Sequence, residues 1–554
     1  MHKHILKAIL ASLVIFYIRG GISWQAEATG LPVLVGLYSS SSLDTTVGEI
    51  QTVDSWLGAP TVTFAGTFID LEYPPELILA DLNRSWDAGY VPFVNLGAGT
   101  YPWGHATPRT AAQIANGDLD TQIRNWAETY KTWSNNGEKR ALIAPLQEMN
   151  GYWTSYGLDP ANYKLAYYRI FQIFREAGVQ HEWVGWVFAP NAWSQPGHEF
   201  ENYYPGNSVV DIVGFSSFNF GSCPSVDKWE TYDQIYMPYL ERMTIMAPGK
   251  PIIIAEIGTV AEGGDKNAWL QDTLSKLSAY PGLRGWIYFN RSENVGSLPD
   301  CQPFADYRIY QDRNGMSYSG FKDVVTQAPY GHWEATSPEI NNIMFAQPGG
   351  AFEDVWPTSA FSGLNSTWYT DWVNRLSNAG ITGGCRIDTI PLTGTVEDMI
   401  FRYYCPDESV TRAQMAVFLE RGIHGATYTP PTAAGTVFSD VLSSYWAVAW
   451  IEQLSRDGIT GGCGEKVYCP DNIVTRAQMA VFLLKSKFGS TYTPSAATGM
   501  VFTDVPNSYW AAAWIEQLAS EGITGGCGSG VYCPDSPVTR AQMAVFLVKT
   551  FNLP

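Results

Sequence analysis

The chain has 554 residues, too many for one hydrophobic core, and a formal net charge of −19, which argues against nucleic acid or an anionic membrane as partner. With 45% hydrophobic residues it is globular rather than disordered, and its 21 Trp and 31 Tyr suit flat, neutral ligands as well as large cores. A basic start, an apolar run from Ala8 to Ile18 and the small-residue site Ala26-Glu-Ala28 predict a secretory signal peptide over residues 1–28, with an uncleaved anchor as the alternative. No later stretch is long and apolar enough to span a bilayer.

From residue 30 to 328, apolar runs alternate with amphipathic stretches. The runs are Val33–Tyr38, Val62–Ile69, Val91–Leu96, Ala141–Leu146, Trp183–Phe188, Val209–Phe215, Ile252–Ile257 and Leu283–Phe289. Eight strands alternating with helices predict a (β/α)8 TIM barrel, in which functional groups collect at the C-terminal ends of the strands. The fourth run ends in Gln147-Glu148-Met-Asn150-Gly-Tyr-Trp153, and the seventh ends in Glu256. One strand-end glutamate is ordinarily a solvated charge. Two in one barrel, among amides and indoles, suit cleavage of a glycosidic bond: an acid, a nucleophile or base, groups for hydroxyls and flat faces for sugar rings.

Gln147–Trp153, Trp186-Val-Phe-Ala-Pro-Asn191, Tyr204-Pro-Gly-Asn with Val210-Asp-Ile-Val-Gly214, and Pro251–Gly258 together resemble glycoside hydrolase family 26, whose best-known members are endo-β-mannanases. The resemblance implies a retaining glycosidase with Glu148 as acid/base and Glu256 as nucleophile. Gln147 stands where the family usually has His, and Phe218 where many members have a Tyr. The family also contains enzymes acting on mixed-linkage β-glucan and β-1,3-xylan. Asn150 and Asn191 are expected to contact hydroxyls. Trp153, Trp186 and Trp286 are expected sugar platforms, with core packing equally open to each, and Phe218 is placed with them at the substrate. No metal or cofactor is expected.

Residues 329–350, rich in Pro, Gly, Gln and Ser, read as a linker. The remainder repeats. Thr411-Arg-Ala-Gln-Met-Ala-Val-Phe-Leu419 recurs at Thr475 and Thr539, 64 residues apart each time. Phe-x-Asp-Val and Gly-Ile-Thr-Gly-Gly-Cys also recur, giving repeats at 351–425, 436–487 and 500–554. They resemble S-layer homology domains, and each reads as two helices, an all-α module. Thr411 with Gln414, Thr475 with Gln478 and Thr539 with Gln542 form capping boxes. Capping does not account for Arg412, Arg476 and Arg540. A cation in the first turn opposes the helix dipole, so these arginines are expected at anion sites. The resemblance makes the ligand an acidic cell-wall polysaccharide.

Eight cysteines in an exported chain predict disulfides. Proximity pairs Cys385 with Cys405, Cys463 with Cys469 and Cys527 with Cys533, leaving Cys223 for Cys301. The combined expectation is an extracellular, surface-attached glycoside hydrolase. Its rival is a wall or S-layer protein whose barrel binds glycan without cleaving it.

Overall fold

The computed structural model describes residues 31–38, 46–99, 107–222, 228–247, 249–293, 305–338, 352, 355 and 368–554. The expected signal peptide, the Cys223–Cys301 bridge and most of the expected linker lie outside them.

The first unit is a closed parallel barrel. Its strands are β1 (Val33–Tyr38), β2 (Val62–Asp70), β3 (Val91–Gly97), β4 (Ala141–Pro145), β5 (Val184–Phe188), β6 (Ile212–Val213), β7 (Ser216–Asn219), β8 (Ile252–Thr259) and β9 (Leu283–Phe289). Each pairs in parallel with its neighbour, and β9 closes onto β1, with Val35 opposite Trp286. The sixth stave is split: β6 and β7 both pair with β8. Gly214 lies at the break, where an added Cβ would stand 2.0 Å from the Ile253 carbonyl oxygen. Strands buried on both faces explain why these segments are continuous apolar runs rather than alternating ones.

Outside the barrel lie α1 (Thr46–Leu57), α2 (Pro75–Asp87), α3 (Ala111–Asn116), α4 (Asp120–Ser134), α5 (Pro160–Glu176), α6 (Met237–Met246), α7 (Lys266–Ser278) and α8 (Ser319–Val325). Aromatic side chains on α4 and α5 fill the space against the strands. Trp126, Tyr130 and Phe174 form one such cluster.

The second unit contains α9 (Thr370–Asn378), α10 (Arg412–His424), α11 (Val448–Arg456), α12 (Arg476–Phe488), α13 (Ala512–Ser520) and α14 (Arg540–Phe551). Three repeats close into a ring around one apolar core. Val474 N–H donates to Val410 O, Val538 N–H to Val474 O and Val410 N–H to Val538 O, so every repeat bonds the next and the last bonds the first. The three capping boxes form as expected, each Thr Oγ1 accepting from the Gln amide.

The module is not purely helical. Repeat 1 carries an antiparallel hairpin, β10 (Arg386–Ile390) and β11 (Met399–Tyr403), between Cys385 and Cys405. All three expected intra-repeat disulfides are present; the cysteines are 20 residues apart in repeat 1 and 6 in each of the others. The additional residues build the hairpin.

The hairpin docks on the barrel. Leu392, Val396, Met399 and Phe401 join the barrel's core, with the Phe401 ring 5.1 Å from that of Tyr168. The buried Arg169 donates to Asp120 Oδ2 (2.7 Å) and to Thr393 Oγ1 (3.2 Å). A linker alone therefore does not describe the junction: repeat 1 is packed against α5.

Candidate active site

Glu148 lies just past β4. Leu146 N–H donates to Leu96 O at 2.7 Å, and Glu148 N–H donates to Ala189 O at 2.9 Å, so the segment is held between the ends of β3 and β5. Leu146 and Glu148 adopt φ values of 53° and 54°, in the left-handed region. Non-glycine residues there cost about 1–3 kcal/mol, and such strain gathers at functional sites.

Both carboxyl oxygens of Glu148 are engaged. Asn191 Nδ2 donates to Oε1 at 2.7 Å, and Trp153 Nε1 donates to Oε2 at 2.7 Å. Burial pushes the Glu148 carboxyl above the usual range, against the opposing pull of Asn191, Trp153 and Ser216. Desolvation penalises the charged form more than these donors repay it, which favours a protonated carboxyl.

Glu256 is buried within β8. Asn95 Nδ2, at the end of β3, donates to Glu256 Oε1 at 3.0 Å and to the Tyr38 hydroxyl at 2.6 Å. The two glutamates belong to one run of backbone rungs. Asn191 pairs with Ser216, and Ser216 pairs with Glu256. Asn191 touches Glu148, so the path from one carboxyl to the other crosses only adjacent rungs. Burial and the negative charges of Glu256 and Glu148 raise the Tyr38 phenol well above its ordinary value. Asn95 Oδ1 and Gln147 Oε1 are buried and accept no hydrogen bond among the described residues.

The expected ligand contacts divide. Trp153 is at the mouth, and its ring is exposed while its N–H points at Glu148. Asn191 orients Glu148. Asn150 is fully buried and bonds backbone instead of ligand. Its Nδ2 donates to Asn191 O, Trp193 O and Ser194 Oγ, and its Oδ1 accepts from Asn191 N–H. It clamps the loop after β5 and offers nothing to a hydroxyl. Trp186 and Trp286 are not platforms. Trp186 points outward from β5 into Phe171 and Phe174, and Trp286 packs on Phe321 and Tyr330 with its N–H donating to the Tyr330 hydroxyl. Both are buried on the helix side of the sheet, because side chains alternate across a strand and these positions face away from the barrel axis. Phe218 is half-buried against Phe289 and Tyr307.

Two aromatic residues outside the expected set complete the mouth. Tyr152 (60% exposed) and Trp193 (47%) flank Trp153 (41%), with Trp153 and Trp193 ring centroids 5.9 Å apart. Asn95 is the other addition. Its position at a strand end was visible in the sequence, but its bond to Glu256 spans 161 residues.

The three arginines are buried within the C-terminal ring rather than offered to an anion. Arg412 Nε donates to Tyr468 O, Arg476 Nε to Tyr532 O and Arg540 Nε to Tyr404 O. Each guanidinium lies 4.7–4.8 Å from the ring centroid of the same tyrosine. The tyrosine hydroxyls donate back to the carbonyls of Arg412, Arg476 and Arg540. A carbonyl and an aromatic face of a neighbouring repeat thus supply what an anion was expected to supply. Burial lowers the affinity of Arg412 and Arg476 for their protons.

A strained carboxyl whose protonated form burial favours, adjoining a second one within a parallel eight-stave barrel, is the arrangement expected of a glycosidase site. Comparison with known proteins agrees: the glycosyl hydrolase family 26 profile matches residues 106–281, and the S-layer homology domain profile matches 437–480 and 501–544. Residues 106–281 of the barrel thus match a glycoside hydrolase family 26 domain, and two matched S-layer homology repeats follow it. The profile omits repeat 1, the copy interrupted by the hairpin.

Endoglucanase H of Acetivibrio thermocellus is 25% identical over 303 residues, covering 50% of this chain and 32% of that protein. Mannan endo-1,4-beta-mannosidase of Bacillus subtilis is 28% identical over 207 residues, covering 33% of this chain and 51% of that one. A modular endo-beta-1,4-mannanase structure from Cellulomonas fimi aligns with a TM-score of 0.40 and 14% identity over 55% of this chain and 73% of that one. The chain spans only a third to a half of the length of these two curated relatives.

Proposed function

We propose that this is a secreted, surface-attached retaining glycoside hydrolase that cleaves a β-mannan by double displacement. The single observation carrying the reading is the Glu148–Asn191–Ser216–Glu256 run, which links a carboxyl whose protonated form burial favours to a second carboxyl. Glu256 attacks the anomeric carbon as Glu148 protonates the departing glycosidic oxygen. Glu148, now ionised, takes a proton from water, which displaces Glu256 and releases the sugar with its configuration retained. Asn191 and Trp153 hold Glu148 for both steps. Asn95 holds Glu256, and Tyr152, Trp153 and Trp193 present flat faces to incoming sugar rings.

The mannosidase relative supports mannan as the substrate. The test is reducing-sugar release from mannan, mixed-linkage β-glucan and xylan, run with wild type and with Glu256→Gln. Release from mannan by wild type alone is expected. Equal release by both proteins removes the nucleophile assignment, and binding without release leaves the barrel a glycan-binding module.

Attachment rests on the C-terminal ring. With the arginines internal, the outward feature common to the repeats is a tryptophan two residues before each repeat's first helix: Trp368, Trp446 and Trp510, 59%, 62% and 62% exposed. These tryptophans are the proposed contacts to wall polysaccharide.

A further inference from the structure

We infer that the junction of repeats 1 and 2 holds a divalent-cation site of the zinc class, formed by Glu420 and His424 of repeat 1 and Asp457 of repeat 2. Glu420 and His424 lie one turn apart on α10, and Asp457 is the C-cap of α11. His424 Nε2 is 3.0 Å from Asp457 Oδ2 and 3.3 Å from Glu420 Oε2, and one ligand atom from each residue lies within 4.8 Å of the others. Ligands about 2.1 Å from a tetrahedral zinc ion stand about 3.4 Å from each other, so the three need little movement to share one ion.

Glu420 is the reason to look for an ion. It is fully buried, and beyond the contact of Oε2 with His424 Nε2 at 3.3 Å its carboxyl oxygens accept no hydrogen bond among the described residues. A buried carboxylate with so little compensation is strongly disfavoured. A cation at this place would give the charged carboxylate a partner.

The other repeats show what the position needs for folding alone. Sixty-four residues on, Glu420 becomes Leu484 and His424 becomes Phe488; a further 64 on they become Val548 and Asn552. Leu484 and Val548 are buried in the core. Asp457 corresponds to Glu521, which Lys487 neutralises at 2.9 Å. In repeat 1 the position of that lysine is Ile423. The junction of repeats 1 and 2 thus places two acids and an imidazole where the junction of repeats 2 and 3 has a leucine, a phenylalanine and a closed ion pair.

The surroundings suit coordination. Gln453 Nε2 donates to Asp457 Oδ1 at 2.8 Å, leaving Oδ2 for the ion. The His424 ring stacks on Tyr428 at 4.3 Å, which fixes its plane. Such outer partners orient metal ligands. The nearby Arg456 is occupied by Gln453 Oε1. His424 and Asp457 are partly exposed, which gives the ion an entry path and room for a water as fourth ligand. One imidazole with two carboxylates favours zinc-like ions over calcium, which prefers six to eight oxygens.

The test is calorimetric titration of the full-length protein with Zn2+, beside the double variant Glu420→Leu/His424→Phe, whose side chains repeat 2 already accommodates. Wild type should bind one more equivalent of Zn2+ than the variant, and Zn2+ should raise the melting temperature of the C-terminal ring in wild type alone. Asp457→Asn should weaken that extra equivalent at least about tenfold, and Ca2+ should not replace Zn2+. Equal Zn2+ stoichiometry in wild type and both variants, with a melting difference that follows pH alone, means that Glu420 and Asp457 share a proton, and overturns the site.

Discussion

Asn191 donates its side-chain amide to Glu148 Oε1 at 2.7 Å while its backbone N–H is held by Asn150 Oδ1 at 2.9 Å. One buried asparagine thus fixes a second one, and the second fixes the carboxyl. The bond from Asn191 favours the ionised form of Glu148. Replacing Asn191 with Ala should therefore raise the Glu148 pKa further. The limb of the pH–rate profile on which the acid must be protonated should move to higher pH. A charge-assisted hydrogen bond contributes about 1.5–3 kcal/mol, so kcat/KM at the optimum should fall roughly 10- to 100-fold. The pH dependence of kcat/KM for wild type and variant checks both.

Glu148→Gln removes the proton donor but not the proposed nucleophile. With an aryl glycoside whose leaving group needs no protonation, this variant should form the glycosyl-enzyme and stall before hydrolysis. Intact-protein mass spectrometry should show an added sugar on Glu148→Gln and none on Glu256→Gln. An adduct on Glu256→Gln would assign the nucleophile elsewhere.

The tryptophans should separate by position. Trp193→Ala at the mouth should raise KM for polysaccharide about fivefold, equivalent to about 1 kcal/mol of ring contact, with little change in melting temperature. Trp186→Ala, beneath α5, should cost about 3–5 kcal/mol of stability. Thermal unfolding and steady-state kinetics on the same two proteins distinguish them.

Arg476→Ala should destabilise the ring rather than merely release it from walls. It removes a hydrogen bond to Tyr532 O and the guanidinium from the Tyr532 face, together about 2 kcal/mol. Lysine should not restore the loss, because it cannot reproduce a planar cation stacked on the ring. By contrast, replacing Trp368, Trp446 and Trp510 together with Ala should leave unfolding unchanged and reduce co-sedimentation with purified cell walls. Retained sedimentation of the triple tryptophan variant would move the attachment surface elsewhere.

The hairpin of repeat 1 should couple the two units. Arg169→Ala removes the buried partner of the part-exposed Asp120 and the bond to Thr393, at a cost of about 1.5–3 kcal/mol. The barrel should melt earlier, and limited proteolysis should cut between residues 386 and 403 sooner than in wild type.

Local pattern was enough for the eight staves, the helix caps, the repeats and three disulfides. Each of these depends on the order of residues along the chain: an apolar run, a Thr-x-x-Gln start, a 64-residue period, two cysteines within one repeat, 6 or 20 residues apart. Glu148 was visible for the same reason, just past the run that precedes it, whereas Glu256, expected at a strand end, lies inside β8, three residues before its end. Which way a side chain points was not visible. Trp153 and Trp186 are equally aromatic, yet Trp153 lies in the loop past β4 at the mouth, while strand alternation within β5 and the fit of α5 send Trp186 to the core. Asn150 and Asn191 are equally polar, yet only the closed barrel decides that one bonds backbone and the other bonds Glu148. The arginines show the same limit. A cation opposing a helix dipole has to be compensated, but whether by a ligand or by the protein is decided by closure of the ring, which brings Tyr404 to Arg540 across 136 residues. Contacts between residues so far apart in the chain leave no local trace, because they depend on how surfaces meet and not on the order of residues along either one.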